Sequence, residues 1–412
     1  MTLQPARTVA ELQELRSMTG TAAGAQRVCW TDVWAESRAW LRNKLAELPV
    51  QVETDEAGNL WATLVGESER AVVIGGHMDS VPDGGWLDGC LNTLAGLESL
   101  RRISAEGKPP VTVRLVDWAD EEGARFGRSL LGSSACAGIL EPDEVRELRD
   151  RGGVSLPDAL LEHGVGLATM EQSRSQLESA AAYLELHIEQ GPVLERLDLP
   201  LGAVLGTFGV ERHLIRFTGQ AAHSGSTPMA DRRDSFAGAA RFALEVHEHT
   251  RQTGQGAVST TGSVAIKPGI VTAVAGECEI TLDQRHLEAA VLAGELAAAR
   301  AASERIAEEE RLDVEWEELW TIDPIPFDER LIDLADEAIT EVAGTSHRLP
   351  SGPLHDAASV ALAEIPTVML FAQSLRGLSH TKEEDTKLEH LELSVAALDR
   401  LASKTIDLVA SS

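Results

Sequence analysis

Ala71-Val72-Val73-Ile74-Gly75-Gly76-His77-Met78-Asp79 is the stretch on which the fold turns. Its first four residues make a short apolar, largely β-branched run of the kind that fills a strand buried on both faces. Two glycines break the run and hand over to His77 and Asp79, which share one face of an extended chain, and the loop that follows ends in Gly84-Gly85-Trp86-Leu87-Asp88-Gly89. Three later segments repeat the design. Val111 to Val116 leads into Asp120-Glu121-Glu122-Gly123, Tyr183-Leu184-Glu185-Leu186 into His187-Ile188-Glu189-Gln190-Gly191, and Thr367 to Phe371 into Ser379-His380-Thr381. In open α/β sheets ligands gather beyond the carboxyl ends of the strands, so these runs predict an α/β fold whose polar termini meet at one rim. His77, Asp88, Glu122, His187 and His380 are then candidate metal ligands, although they are scattered from residue 77 to residue 380.

Composition narrows the partners. The chain has 412 residues, 43% of them hydrophobic, which is enough for two ordinary domains with real cores. A formal net charge of −30 argues against a basic surface for nucleic acid or an anionic membrane, and leaves small molecules and cations as expected partners. Cys29, Cys90, Cys136 and Cys278 show no C-x-x-C pair, so they read as free thiols in a reducing compartment. No apolar leader opens the sequence and no stretch approaches the roughly 20 apolar residues of a membrane span, which makes the cytoplasm the expected location.

Along the chain, Leu12, Leu15, Trp34, Leu41 and Leu45 suggest helices ahead of the first strands near Val50 and Leu60-Trp61. Leu91, Leu94, Leu97 and Leu100 fall at helical spacing within Cys90 to Ile103. Residues 141–176 are polar, partly helical and without evident chemistry, and read as an insertion. Between about Glu211 and Glu317 the order becomes strand (His213 to Phe217), helix (Ser235 to His249), two strands around Ala275-Gly276-Glu277, a long Ala/Glu helix, and strand (Leu312 to Trp316). That is the βαββαβ order of ferredoxin-like domains. The expected organisation is a di-metal domain made of residues 1–210 and 320–412, interrupted by a smaller domain over residues 211–319.

Each chemical motif competes with a plainer reading. A lone His-x-Asp is usually a surface turn, but His77-x-Asp79 sits after a buried-strand pattern, where Asp79 can hold the ring of a ligating His77. Glu121-Glu122 would be a solvated acidic loop on composition alone. Behind a strand it suits metal-assisted hydrolysis, with one carboxylate on metal and its neighbour facing the attacking water. His223 lies in a loop of turn formers, Ala222-His223-Ser224-Gly225-Ser226-Thr227-Pro228, inside the smaller domain, which favours a substrate contact over a metal ligand. His355-Asp356 is a further candidate pair. There is no G-x-S-x-G elbow, no P-loop and no dinucleotide fingerprint.

Together these segments resemble the M20 metallopeptidase-type amidohydrolases, and more narrowly the amidase/hydantoinase/carbamoylase branch. That branch includes N-carbamoyl-L-amino acid hydrolases, allantoate amidohydrolases and β-ureidopropionases. The resemblance spans nearly the whole chain, through Asp55-Glu56-Ala57-Gly58-Asn59-Leu60, the His77, Asp88 and Glu121 segments, His223 to Met229, Asp283-Gln284-Arg285, His355-Asp356-Ala357 and Ser379-His380-Thr381. Its most specific element is His187-Ile188-Glu189-Gln190-Gly191-Pro192, because related peptidases usually carry a carboxylate ligand at that histidine.

The resemblance implies two divalent metal ions per subunit, zinc or else manganese, cobalt or nickel. Asp88 would bridge them, with His77 and His187 on one and Glu122 and His380 on the other. Glu121 would be the general base, with Asp79 supporting a ligand. His223 would contact the oxyanion or substrate, reaching the site of the partner subunit in a homodimer formed through the smaller, lid-like domain. Arg285 would clamp the substrate carboxylate, Gln190 would touch substrate near the metals, and Thr272, Gly352 and His355 would complete the substrate contacts. The implied activity is hydrolysis of a linear amide or ureido bond in a small carboxylate-bearing molecule, first an N-carbamoyl-L-amino acid, then allantoate, ureidoglycolate or an N-acyl-amino acid or dipeptide. A non-catalytic metal-dependent binding protein of the same fold is the reading from another class.

Three positions depart from the branch. Asn92-Thr93 replaces a common Gly-Val, bringing extra polar atoms toward the metals. Thr272-Ala273-Val274 stands where Asn and a Val-Pro-Gly turn are frequent, and Trp86-Leu87 where a basic and an aromatic residue are.

Overall fold

The computed structural model describes residues 2–254 and 256–412. The chain divides into two compact units, Met1–Gly206 with Phe327–Ser412, and Thr207–Pro326.

In the larger unit the strand Ser68–His77 lies between Val111–Trp118 and Ala180–Ile188, parallel to both, and Thr367–Ala372 continues the parallel set beside Ala180–Ile188. Leu60–Leu64 with Gln51–Thr54 and, on the other side, Leu201–Thr207 extend the sheet in antiparallel fashion. All residues of Val111–Trp118 and of Thr367–Ala372 are buried, as a central sheet covered on both faces requires. Pro5–Thr19, Cys90–Ala105, Glu329–Ala343 and Leu388–Ser411 bring Leu12, Leu97, Ile339 and Leu398 into the same core as Val72 and Leu370. Residues 141–176 fold into Pro142–Val145, Leu156–Glu162 and part of the 3-10 segment Leu167–Leu177, and pack with Trp30, Trp34 and Phe126 in a second cluster.

The glycines of the opening stretch have a steric cause. A Cβ at Gly75 would lie 2.1 Å from the Tyr183 hydroxyl, and one at Gly76 would lie 2.8 Å from Asn92 Nδ2. The Tyr183 hydroxyl has no freedom to yield, since it receives Trp118 Nε1 at 2.9 Å and donates to Glu185 Oε2 at 2.7 Å. Asn92 is structural as well: its Oδ1 accepts from Leu186 N at 2.9 Å, fastening the helix Cys90–Ala105 to the strand that carries His187. Asn92 therefore has a use in the sheet itself, while Thr93 Oγ1 is buried without a partner among the described residues.

The smaller unit is an antiparallel sheet in the order Val258–Thr260, Glu277–His286, Gly209–Thr218, Asp313–Ile322, with Val264–Lys267 also paired to Glu277–His286. Glu277–His286 alternates strictly, burying Cys278, Ile280, Leu282, Gln284 and His286. The helices Ser235–Thr253 and Ala289–Glu310 add Phe242, Val246, Ala299 and Ile306 to the cluster around Ile215 and Phe217. Cys29, Cys90, Cys136 and Cys278 are buried and unpaired, and no helix among the described residues is long and apolar enough to cross a membrane.

Gly75→Ala is expected to cost about 1–3 kcal/mol of unfolding free energy through overpacking against Tyr183. Urea unfolding measures it, and an unchanged midpoint would show that the strand spacing is not set there.

Candidate metal centre

The parallel register delivers the site. His77 ends its strand opposite Trp118, Gly75 pairs with Glu185, and Phe371 pairs with His187, so four strand ends reach one rim. Beyond them the loops add Asp88, Glu121, Glu122 and His380.

Asp88 occupies the middle. Its Oδ1 lies 3.0 Å from His187 Nε2 and 3.5 Å from His77 Nε2, while its Oδ2 lies 3.6 Å from His380 Nε2. His380 Nε2 is in turn 3.2 Å from Glu122 Oε2. Two groups, His77 with Asp88 and His187, and Asp88 with Glu122 and His380, each bring three ligand atoms within 4.8 Å of one another. Gly89 makes the approach possible: it has φ of 64°, and a Cβ there would sit 2.4 Å from the His77 ring.

The rings are turned for coordination. His77 Nδ1 lies 3.2 Å from the Asp79 carbonyl oxygen and 3.5 Å from Asp79 Oδ1, and His187 Nδ1 lies 2.9 Å from the Ile188 carbonyl oxygen. Such contacts leave Nε2 free to face a cation. Asp79 also accepts from the backbone N–H groups of Glu121 at 3.3 Å and Glu122 at 3.2 Å, so one carboxylate positions a histidine and both glutamates. His77 Nε2, His187 Nε2 and Glu122 Oε1 are buried without a hydrogen-bond partner among the described residues, an expensive arrangement that a cation relieves. These nitrogen and oxygen donors, free of sulfur, fit zinc, manganese, cobalt or nickel.

Charge is compressed here. Burial first, then the nearby Asp356, Glu122 and Asp79 against the opposing pull of His77, holds the Glu121 carboxyl well above the usual carboxylate range. Glu121 Oε2 lies 3.7 Å from His77 Nε2. Burial opposes charge on Asp88 too, but the His187 and His77 rings bring it well below its ordinary value.

Other predicted residues separate into two sets. Gln190 is at the centre: its Nε2 donates to Asp88 Oδ2 at 2.8 Å and to Ser379 Oγ at 2.8 Å, and its Oε1 is buried without a partner. His355 is buried with its ring centroid 4.3 Å from that of His187, and burial followed by the charge of His187 keeps it neutral. Gly352 follows the strand Arg348–Ser351 in the same unit, and a Cβ there would meet nothing within 4 Å. His223, Thr272 and Arg285 belong to the smaller unit. There Ser224 N donates to Thr272 O at 2.9 Å, His223 pairs with Ala273, and Arg285 Nε donates to Asp283 Oδ1 at 2.7 Å, on a carboxylate shared with Arg212.

Sequence reasoning overlooked Glu384. It accepts from Leu87 N at 2.9 Å and Asp88 N at 3.1 Å through Oε1, and from Ser379 Oγ at 3.3 Å through Oε2. A Cβ on Gly85 would lie 2.0 Å from its carboxyl carbon. In sequence it is one acid among Lys382-Glu383-Glu384-Asp385, which reads as a solvated turn; only the Gly85 pairing betrays it. Asp120, taking Trp30 Nε1 at 2.8 Å, and the buried Glu185, whose charge bears on Asp356, were also unassigned.

Known proteins resemble this chain over most of its length. A profile described as peptidase family M20/M25/M40 matches residues 73–404. An N-carbamoyl-L-amino acid amidohydrolase of Geobacillus stearothermophilus is 36% identical over 88% of this chain and 89% of its own. An allantoate amidohydrolase of Escherichia coli K12 is 31% identical over 92% of each chain. The crystal structure of a hydantoinase/carbamoylase family amidase from Burkholderia multivorans superposes with a TM-score of 0.87 at 30% identity, covering 98% of both chains.

The electrostatics fix a pH dependence. In chelator-treated protein, burial and then Asp79 push Asp120 up to about 8, burial and then Asp88 push Glu384 to about 7, and Glu122 raises His380 to about 9. Each group binds its proton more tightly folded than unfolded, so the folded state carries the excess protons and loses stability as pH rises. The Tm of the metal-free protein is expected to fall from about pH 5 to about pH 8, and added metal to flatten the fall. A metal-free Tm that rises over that interval would contradict the assignment.

Proposed function

The chain belongs to peptidase family M20/M25/M40, and we propose that it hydrolyses a linear C–N amide or ureido bond in a small carboxylate-bearing molecule, first an N-carbamoyl-L-amino acid. The observation that carries the reading is Glu121, a buried carboxyl held above its usual range beside His77 and next to two groups of donors that share Asp88. The Geobacillus relative supports the choice of substrate class. Allantoate or ureidoglycolate is the second reading, favoured by the Escherichia coli relative.

Two divalent ions, one with His77, Asp88 and His187 and one with Asp88, Glu122 and His380, would supply Lewis-acid activation of the carbonyl and of water. Glu121 takes the proton of the attacking water and passes it to the departing nitrogen. Its raised proton affinity suits both halves of that transfer. Asp79 keeps the ring of His77 and the backbone of Glu121 and Glu122 in place. Gln190 offers Oε1 to a substrate N–H, for which it has no other partner. His355, neutral and packed against His187, keeps bulk water from that side of the ligand. In this reading the developing oxyanion falls to His223, the substrate carboxylate to the Arg285 donor fork, and side-chain selection to Thr272 and Gly352. It further includes zinc, manganese, cobalt or nickel as the metal, a homodimer formed through the smaller unit, and a cytoplasmic location.

The test is a hydrolysis screen of N-carbamoyl, N-formyl and N-acetyl amino acids and allantoate, using protein stripped and reloaded with each metal. Metal-dependent release of ammonia from N-carbamoyl-L-amino acids is expected; hydrolysis of allantoate alone would select the second reading, and silence with every substrate would reject both. Glu121→Gln should retain bound metal and lose at least about a hundredfold in kcat. Near-normal turnover would remove Glu121 from the chemistry. Arg285→Ala should raise KM for carboxylate substrates by about tenfold or more while sparing amidated analogues, and equal losses on both would refute the clamp.

A further inference from the structure

Away from the metal centre, the larger unit holds a cavity of about 310 Å³ between the end of the helix Pro5–Thr19, the turn after it and the loop that leads to Asp88. We propose that this cavity binds a small anion, a phosphate or carboxylate group carried on a compact body.

The lining chemistry is the first reason. Arg16 and Lys382 line the cavity with Ser17, Thr21 and Trp86, and no Asp or Glu does, in a chain with 66 acidic and 36 basic residues. Neither cation has a carboxylate partner among the described residues, whereas Arg102, Arg348 and Lys404 in the same unit are each paired. Two unneutralised cations at one concavity are what an anion site needs, and the acidic balance of the chain makes such a concavity stand out.

Trp86 is the second and independent reason. It is 5% exposed, and its Nε1–H is buried without an acceptor among the described residues. The indole lines the cavity, and its buried, unpaired donor leaves that wall short of one acceptor. The Arg16 guanidinium lies 5.5 Å from the Trp86 ring centroid, a cation–π contact that keeps the planar donor fork at the cavity wall.

The walls are fixed in advance. Ala25 N donates to Gly84 O at 2.9 Å and Gly20 pairs with Ala25, so the turn is tied to the loop it faces. A free phosphate would leave most of 310 Å³ unfilled, which is why the anionic group is placed on a larger body. The site is separate from the ligands of the metal centre, although the loop that walls it ends in Asp88.

The proposal is tested on metal-loaded protein containing 5-fluorotryptophan, titrated at constant ionic strength with inorganic phosphate in one arm and succinate in another. The fluorine resonance of Trp86 is identified by its loss in Trp86→Phe. A saturable shift of that resonance is expected, with affinity falling by at least about tenfold when Arg16→Gln and Lys382→Gln are combined. Response to one probe alone assigns the group as phosphate or carboxylate. Both side chains are exposed, so the double variant should fold, and unchanged metal content and Tm check that it does. An absent or unsaturable shift, or one that the double variant leaves intact, overturns the site; the last result would mean that the anion acts from the metal centre.

Discussion

Asp88 has to present its two carboxylate oxygens to two different sets of partners, and much of the larger unit is arranged so that it can. Oδ1 faces the His77 and His187 rings, while Oδ2 faces His380, Gln190 and Ser379. An anion 3% exposed would be costly unless compensated, and the two histidines supply that compensation without a hydrogen bond of their own to spare. The position is held from behind by Glu384, from below by the left-handed turn at Gly89, and from across the sheet by the register that sets His77 beside Trp118 and His187 beside Phe371. A one-residue slip of any of these strands would turn its histidine to the other face.

The concentration of acid around that point explains why the family's chemistry is metal-dependent in physical terms. Glu121, Glu122, Asp120, Glu185, Asp356 and Glu384 all have carboxyl groups pushed upward by burial. Left to themselves Asp120 and Glu384 would carry protons near neutral pH, and the other four would give up theirs less readily than a solvated carboxyl does. Cations held among them would exchange that proton demand for coordination, and would couple folding, metal affinity and the proposed basicity of Glu121 through one patch of low dielectric.

The strands and the residues at their ends were legible because a buried parallel sheet imposes an apolar run and a sharp change to polar residues. Val111 to Val116 and Thr367 to Phe371 show this directly, and the helix beginning at Cys90 shows the other period in Leu91, Leu94, Leu97 and Leu100. What stayed hidden depends on long-range packing. Glu384 is indistinguishable from a surface acid until Gly85 is seen to make room for it. Asn92 reads as a polar intrusion toward the metals until its bond to Leu186 appears. Residues 141–176 look featureless because their apolar residues are few, yet Val145, Leu156, Leu160 and Met170 suffice to close a cluster over Trp30 and Trp34. Trp86 reads as one exchanged side chain in a loop, and only the structure sets it beside Arg16.

On the proposed assignment, the Asp88 carboxylate serves two metal ions. Anomalous diffraction at the absorption edge of the bound metal, from crystals of the metal-loaded protein, tests it most directly. Two peaks per chain are expected with Asp88 between them, one against His77 and His187 and the other against Glu122 and His380. A single peak, or two peaks that do not share Asp88, would contradict it.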